Sequence, residues 1–458
     1  MPTEQTHDSS TGAKPALPVG EAALVHRHGG VLTWIGAIGF YWFFLTAFWG
    51  VDGHYFAMFL LGIYFISWSR THWPVVVKSK LAWLVVSLFL YFSLRYLYSF
   101  FLEGASFEWN IGYEWPFLKA VGLTAFLLVP FFLSESRRKY LNRAFLLLLA
   151  SWVIKIILEL FVHETAGGLS TLSEYRPGFG MGPITFGAVT GFLILGVVAL
   201  SSSFVDSSSG QSSSNLAKRA AVGILLALLF TGLILTQSVG DWLAMGIALL
   251  VLWALKLKRC RSKEKSAGCY KRHAIYSLAI AVMILAVIGA KWDVIESRLQ
   301  AKNLDYTTLA TTPIGQLPET ALGVRYDLYR VGLNNVGTSP VFGILPSRVE
   351  KQLKAQTPYR WRHVHNLPLQ ILLSFGAVGL ALFVTLFITS FREMVMASMR
   401  GALPDDWSLF WYAAVAFFIV QTSFDISINN ADVRTLLVML AGLAMAMEIE
   451  RKMGHLRT

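Results

Sequence analysis

The sequence predicts an all-α polytopic membrane protein of about 12 transmembrane helices, each apolar run being of a length that crosses a ~30 Å hydrocarbon core. Three observations carry this. Hydrophobic residues make up 55% of the 458 positions and only 14% are charged, where a soluble domain carries about 25%. Mean hydropathy is +0.54. Apolar runs recur along the whole chain, near 31–50, 54–69, 81–102, 117–134, 143–162, 182–204, 219–236, 241–257, 274–290, 367–390, 407–424 and 433–448. The second run is short, so its helix has little room to tilt.

The spans divide the chain. Residues 1–30 read as a polar cytoplasmic tail without the basic-then-apolar pattern of a signal peptide. A transmembrane bundle follows over 31–290, then a long loop over 291–366, the last three spans over 367–448, and a short cytoplasmic tail over 449–458. The net charge of +12 points away from nucleic acid, because most basic residues crowd short connections. Arg137, Arg138, Lys139 and Arg143 form one such group, and Lys256 to Arg272 another. Lys and Arg hold a connection on the cytoplasmic side, so both termini are expected inside. Cys260 and Cys269 share one of these connections, where a reducing compartment keeps thiols free. The Ser-rich stretch 201–215 reads as a flexible linker.

The loop 291–366 faces away from the cytoplasm on this map, although it is basic. Long loops escape the charge rule. Ser347 and Glu350 have the spacing of a capping box, with Val349 and Leu353 behind them. Val324, Leu328 and Val331 form one helical stripe that leaves Arg325 off the apolar face. A small, mostly helical cap over the bundle is expected.

Three groups of residues could carry chemistry. The loop ends in Trp361-Arg362-His363-Val364-His365-Asn366-Leu367-Pro368. Asn366 is a good N-cap and Pro368 suits a first helical turn, so a span starts here with His365 at its mouth. A neutral imidazole there accepts a proton near pH 7. The plainer reading is an interfacial histidine bonded only to neighbouring backbone. His363, two residues away, makes an H-x-H pair that would be half of a metal site, but the sequence offers no convincing third ligand. The second group is intramembrane charge: Arg95, Lys119, and Lys155 with Glu159 at i,i+4. Such charges face an interior or a wet cavity. Lys155 and Glu159 are placed to neutralise each other and Lys119 to snorkel, whereas Arg95 has no carboxylate near it in sequence. The third is Arg176, in the Gly-rich run Arg176-Pro177-Gly178-Phe179-Gly180, where a guanidinium offers a fork for phosphate. The plain alternative is a turn with one surface arginine.

His365-Asn366 followed after nine residues by Gly376, the loop before the last three spans, the Arg176 loop, and Arg325 followed by Gly343 together resemble the O-antigen ligase/polymerase superfamily, and within it the WaaL-type O-antigen ligases. The likeness runs over roughly residues 170–390. It implies a GT-C-like architecture in the bacterial inner membrane with a periplasmic active site. The implied reaction moves O-antigen polysaccharide from undecaprenyl diphosphate to the lipid A-core oligosaccharide by a single inverting displacement. His365 would be the catalytic base. Arg176 and Arg325, with Arg95, Lys119, Asn366 and His363 around them, would bind the diphosphate and substrates. No cofactor is implied and no metal is expected, since the leaving group is already good and no Asp-x-Asp pair lies in the outer segments. In one departure, Val239 stands where many relatives have the arginine of a Ser-Arg-Gly. The same likeness leaves open an O-antigen polymerase or a protein O-oligosaccharyltransferase, the Arg176-x10-Gly187 spacing fitting a polymerase. A lipid-linked sugar flippase is the reading of another class. It suits Arg95, Lys155 and Glu159 but not a large cap on one face, because a transporter needs access from both sides.

Overall fold

A computed structural model describes residues 30–49, 51–103, 123–164, 182–205, 212–262, 321–357, 361–426, 428 and 430–455, with five isolated positions between 285 and 296. Among the described residues every regular element is a helix. They are α1 (Gly30–Leu45), α2 (Val51–Val76), α3 (Lys80–Glu103), α4 (Leu123–Phe126), α5 (Val129–Phe132), α6 (Arg137–Glu164), α7 (Pro183–Val205), α8 (Ser212–Leu235), α9 (Val239–Ser262), α10 (Ala321–Val336), α11 (Pro346–Gln356), α12 (Leu367–Met399), α13 (Asp405–Thr422) and α14 (Ala431–His455). Six of them are long and apolar enough to cross a membrane: α3, α6, α7, α8, α9 and α12. The chain is an integral membrane protein on this ground.

Several expectations are corrected. The second span is not short, since α2 runs 26 residues through Pro74. The described part of 117–134 is not one helix: α4 and α5 are single turns separated at 127–128. The Ser-rich stretch is largely helical at both ends, with α7 reaching Val205 and α8 starting at Ser212. The span expected at 274–290 lies mostly outside the described residues, as do the N-terminal tail, Lys119, the Arg176 loop, Cys269 and the first part of the long loop.

Lipid tails are as apolar as leucine, so close packing rather than water exclusion holds such helices together. α7 is the packed centre, with 89% of its apolar window buried. It lies against α8, α9, α13 and α14, and its Phe192 meets Phe410 edge to face at 4.9 Å. At one end of the bundle polar side chains tie the helices. Glu448 of α14 accepts from Ser79 Oγ (2.6 Å), Lys80 N (2.8 Å) and Leu81 N (2.9 Å), satisfying the free N–H groups that open α3. Arg451 grips Glu393 of α12 through both nitrogens, at 2.9 and 2.8 Å.

The cap is at the other end of α3 and α12. Leu328 and Val331 of α10, Val349 and Leu353 of α11, Val364, and Leu373 of α12 form a small separate core, joined by Val324. The predicted stripe is the face that packs. The capping box is not used: α11 begins at Pro346 after Leu345, with no side-chain cap. Glu350 pairs instead with Lys354 (2.6 Å) and Arg362 (3.7 Å).

Beneath this core α12 is broken. Gly376 has φ +64° and ψ −170° inside the helix. The groups freed there are paired with residues 340–345. Ile344 N donates to Leu373 O (2.8 Å) and Leu345 N to Ser374 O (2.9 Å); Ala377 N donates to Pro340 O (2.8 Å) and Val378 N to Val341 O (3.2 Å). Tyr91 Oη of α3 donates to Phe375 O at 2.5 Å. The break therefore leaves no orphaned ladder in apolar surroundings, the condition on which irregular backbone survives at membrane depth. A Cβ at Gly376 would overlap the Val341 backbone, and one at Gly343 the backbone of Phe375. Both glycines sit at positive φ, so side chains are excluded twice over.

Candidate functional site

The start of α12 builds the site. Asn366 caps the helix as predicted: its Oδ1 accepts from Leu369 N at 3.0 Å, with Pro368 in the first turn. Gln370, one turn in, accepts from Val364 N (3.2 Å) and donates to Ser374 Oγ (3.1 Å). These bonds pin residues 364–366 to the helix they precede.

His365 has a left-handed backbone, φ +52°. A residue other than glycine held there costs about 1–3 kcal/mol and persists only where its surroundings fix it. The turn sends the imidazole inward, where the side chain is only 10% exposed. Nδ1 lies 3.1 Å from Asp425 Oδ1, on the segment after α13. An ionised carboxylate only accepts, so Nδ1 carries the proton and donates. Nε2 is then the basic nitrogen. It is buried and, among the described residues, has no hydrogen-bond partner.

Electrostatics support that tautomer. Burial alone would raise the Asp425 carboxyl, but the bond from His365, the two imidazoles and the Ile426 N–H outweigh it and hold the group below the usual carboxylate range. His363, whose ring centroid is 4.3 Å from that of His365, is pushed down to about 4 by burial, by His365 and by Arg362, against the pull of Asp425. It is neutral at pH 7. Trp361 meets His365 edge-on at 4.5 Å and is 44% exposed, forming an open aromatic wall beside the buried imidazole.

The arginine of α10 borders the same place. Arg325 Cζ lies 5.8 Å from the centre of the Phe424 ring, the residue before Asp425. One turn on, Tyr329 Oη lies 3.3 Å from Ser423 O and 3.4 Å from His365 O. Asn366 Nδ2 donates to Ser423 O at 3.4 Å. Thus α10, the 361–366 turn and the 423–425 turn converge on His365.

The remaining candidates separate. Arg95 donates to Gly343 O at 2.8 Å and lies over Tyr98 and Phe342. Its guanidinium ties α3 to the 340–345 segment. Lys155 donates to Phe48 O at 2.8 Å, and the side chain of Glu159 is outside the described residues. Arg176 and Lys119 are outside them as well. Val239 opens α9 next to Gly240, whose Cβ position is 3.2 Å from that of Phe424. Sequence reasoning missed Asp425, Trp361, Tyr329 and Phe424. For Asp425 a signal existed: Asp425 and Asp432 are the acidic residues in the connection between the last two spans. Asp425 also supplies the third ligand type that the H-x-H pair lacked.

A buried imidazole held against a carboxylate thus lies at the start of α12, with Arg325 beside the turn that carries the carboxylate. Residues 224–384 match the family model of the O-antigen ligases. The match covers roughly a third of the chain, from α8 through the cap to the middle of α12. It includes Arg325, His365 and Gly376 and stops short of Asp425. No curated protein matches the chain. The family supports an activity of O-antigen ligase or polymerase type, on lipid-linked polysaccharide and lipopolysaccharide-core substrates in general.

Proposed function

We propose that the protein is an O-antigen ligase of the bacterial inner membrane, with its cap and active site periplasmic, both termini cytoplasmic, about a dozen spans and a GT-C-like arrangement. It transfers polysaccharide from undecaprenyl diphosphate to the lipid A-core oligosaccharide. The observation that carries the reading is the His365–Asp425 pair, with Nε2 unpartnered, at the edge of the segment that matches the family.

The step is one displacement. His365 Nε2 takes the proton from an acceptor sugar hydroxyl as that oxygen attacks the anomeric carbon of the donor. The bond from that carbon to the diphosphate oxygen breaks, its electron pair leaves with the diphosphate, and configuration inverts. Asp425 keeps the imidazole in the productive tautomer and stabilises the imidazolium that forms. Arg325, and Arg176 from the Gly-rich loop, hold the diphosphate and offset the charge growing on it. Arg95 acts at a distance by fixing the 340–345 segment. No divalent ion is needed to activate this leaving group.

Deleting the gene and reading the lipopolysaccharide by gel tests this. The expected result is core without polymer while lipid-linked polymer accumulates. Core carrying a single repeat would mean a polymerase, and unchanged lipopolysaccharide would remove both readings.

A further inference from the structure

We propose that His363, His365 and Asp425 together bind one divalent ion of the zinc class, and that this ion is an inhibitor which competes with the base role of His365. The proposal of inhibition rests on the transferase reading above; the proposal of binding does not.

The donor atoms are already gathered. One atom from each side chain lies within 4.8 Å of the other two, and the His365–Asp425 edge is 3.1 Å. Zinc bonds of about 2.0–2.2 Å in tetrahedral geometry set ligand atoms about 3.3 Å apart. One edge of the tetrahedron, His365 Nδ1 to Asp425 Oδ1, is therefore in place, and His363 brings a third donor atom within 4.8 Å of both. Two imidazoles and one carboxylate favour zinc over magnesium or calcium, which take oxygen ligands. Binding needs neutral imidazoles and an ionised carboxylate. Arg362, whose charge acts on His363, and Arg325 oppose a cation and weaken the site without altering its ligands. Three protein ligands leave a fourth position for water.

Competition follows from imidazole chemistry. An ion on Nε2 occupies the lone pair that takes the acceptor proton. An ion on Nδ1 displaces the proton from that nitrogen to Nε2, which then donates and cannot accept. Either mode removes the base.

The test uses the purified full chain in detergent, carrying Cys260→Ser and Cys269→Ser so that thiols do not bind the probe. Zinc chloride is added, and bound zinc is measured after dialysis. One equivalent per chain is expected. His363→Ala should weaken binding at least tenfold, since even outer partners of a metal site are worth about 10–100-fold, and His72→Ala should leave it unchanged. Copper(II) bound to the unmutated site serves if the variants misfold: its electron-spin-echo spectrum should show two coordinated imidazoles, and one or none overturns the site. Absence of stoichiometric zinc, or undiminished binding by a well-folded His363→Ala, also overturns it. Glycan transfer by the parent should fall as zinc loads and recover with chelator. Full transfer at full occupancy, or transfer that chelator abolishes, overturns the inhibitory role while leaving the binding result to stand or fall separately.

Discussion

The packed centre of the bundle and the seam under the cap solve the same problem in opposite ways. Around α7 the contacts between helices are largely rings and aliphatic chains such as Phe192 against Phe410, and a side chain, Lys256 of α9, reaches its backbone at Val198 O (3.0 Å). At the seam α12 is opened at Gly376, and its free carbonyls and N–H groups are satisfied by a different stretch of chain, 340–345. The first arrangement tolerates substitution wherever volume is kept. The second does not, because each bond fixes two segments at once. His365 sits on the second. The lesson is that the site's precision comes from backbone pairing across the break, which holds the short first part of α12 and its cap residue in place.

Glycine substitutions break this comparison most severely. Gly376→Ala puts a Cβ into the Val341 backbone at positive φ and should cost more than about 3 kcal/mol, the upper range for a strained position alone. Loss of the cap's protection from protease would show it. Gly246→Ala in α9, where nothing lies within 4 Å of the added carbon, should be neutral or stabilise by up to about 1 kcal/mol. Equal melting shifts for the two variants would erase the distinction between centre and seam.

A smaller effect is expected at Arg325. Alanine should weaken use of the lipid diphosphate by about 10²-fold, the scale for losing one stabilising group at a developing charge. Lysine should restore part of it, lacking the bidentate fork. Transfer rates against donor concentration measure both, and an unimpaired Arg325→Ala would remove this residue from the diphosphate site.

The smallest effect is one of pH. His363 titrates near 4 in the fold and near 6.5 in a free chain. Between those values the unfolded chain binds the extra proton, so stability falls as pH drops from about 6.5 to about 4. His363→Ala should flatten that limb of a melting-temperature profile. A parent profile that is flat over this window would contradict the burial assigned to this ring.

Much of this was legible in sequence, and the rest failed for identifiable reasons. Asn366 and Pro368 announce a helix start, and that start placed His365 correctly. The nine-residue spacing to Gly376 marked the glycine at the break, but periodicity carries no sign of a distant segment pairing with it. Asp425 escaped because it is 60 residues from its partner and because reading the connections for Lys and Arg passes over their carboxylates. The capping box at Ser347 failed because the helix starts two residues earlier, with Leu345 (φ +74°) at the N-cap position and Pro346 in the first turn. For Arg95, which has no acid near it in sequence, the fold supplies a carbonyl partner from a distant loop, Gly343 O.

The central claim is that His365 Nε2 is a base whose tautomer Asp425 sets. Purified protein, lipid-linked polymer and lipid A-core acceptor allow the rate of transfer to be compared between the parent and His365→Gln at matched folding. Glutamine keeps a hydrogen-bonding group but takes no proton, so the account predicts a loss of about 10²–10⁴-fold, the usual worth of a general base. A His365→Gln enzyme that transfers polymer at the parent rate would contradict it, and would leave the histidine as a residue that only orients the acceptor.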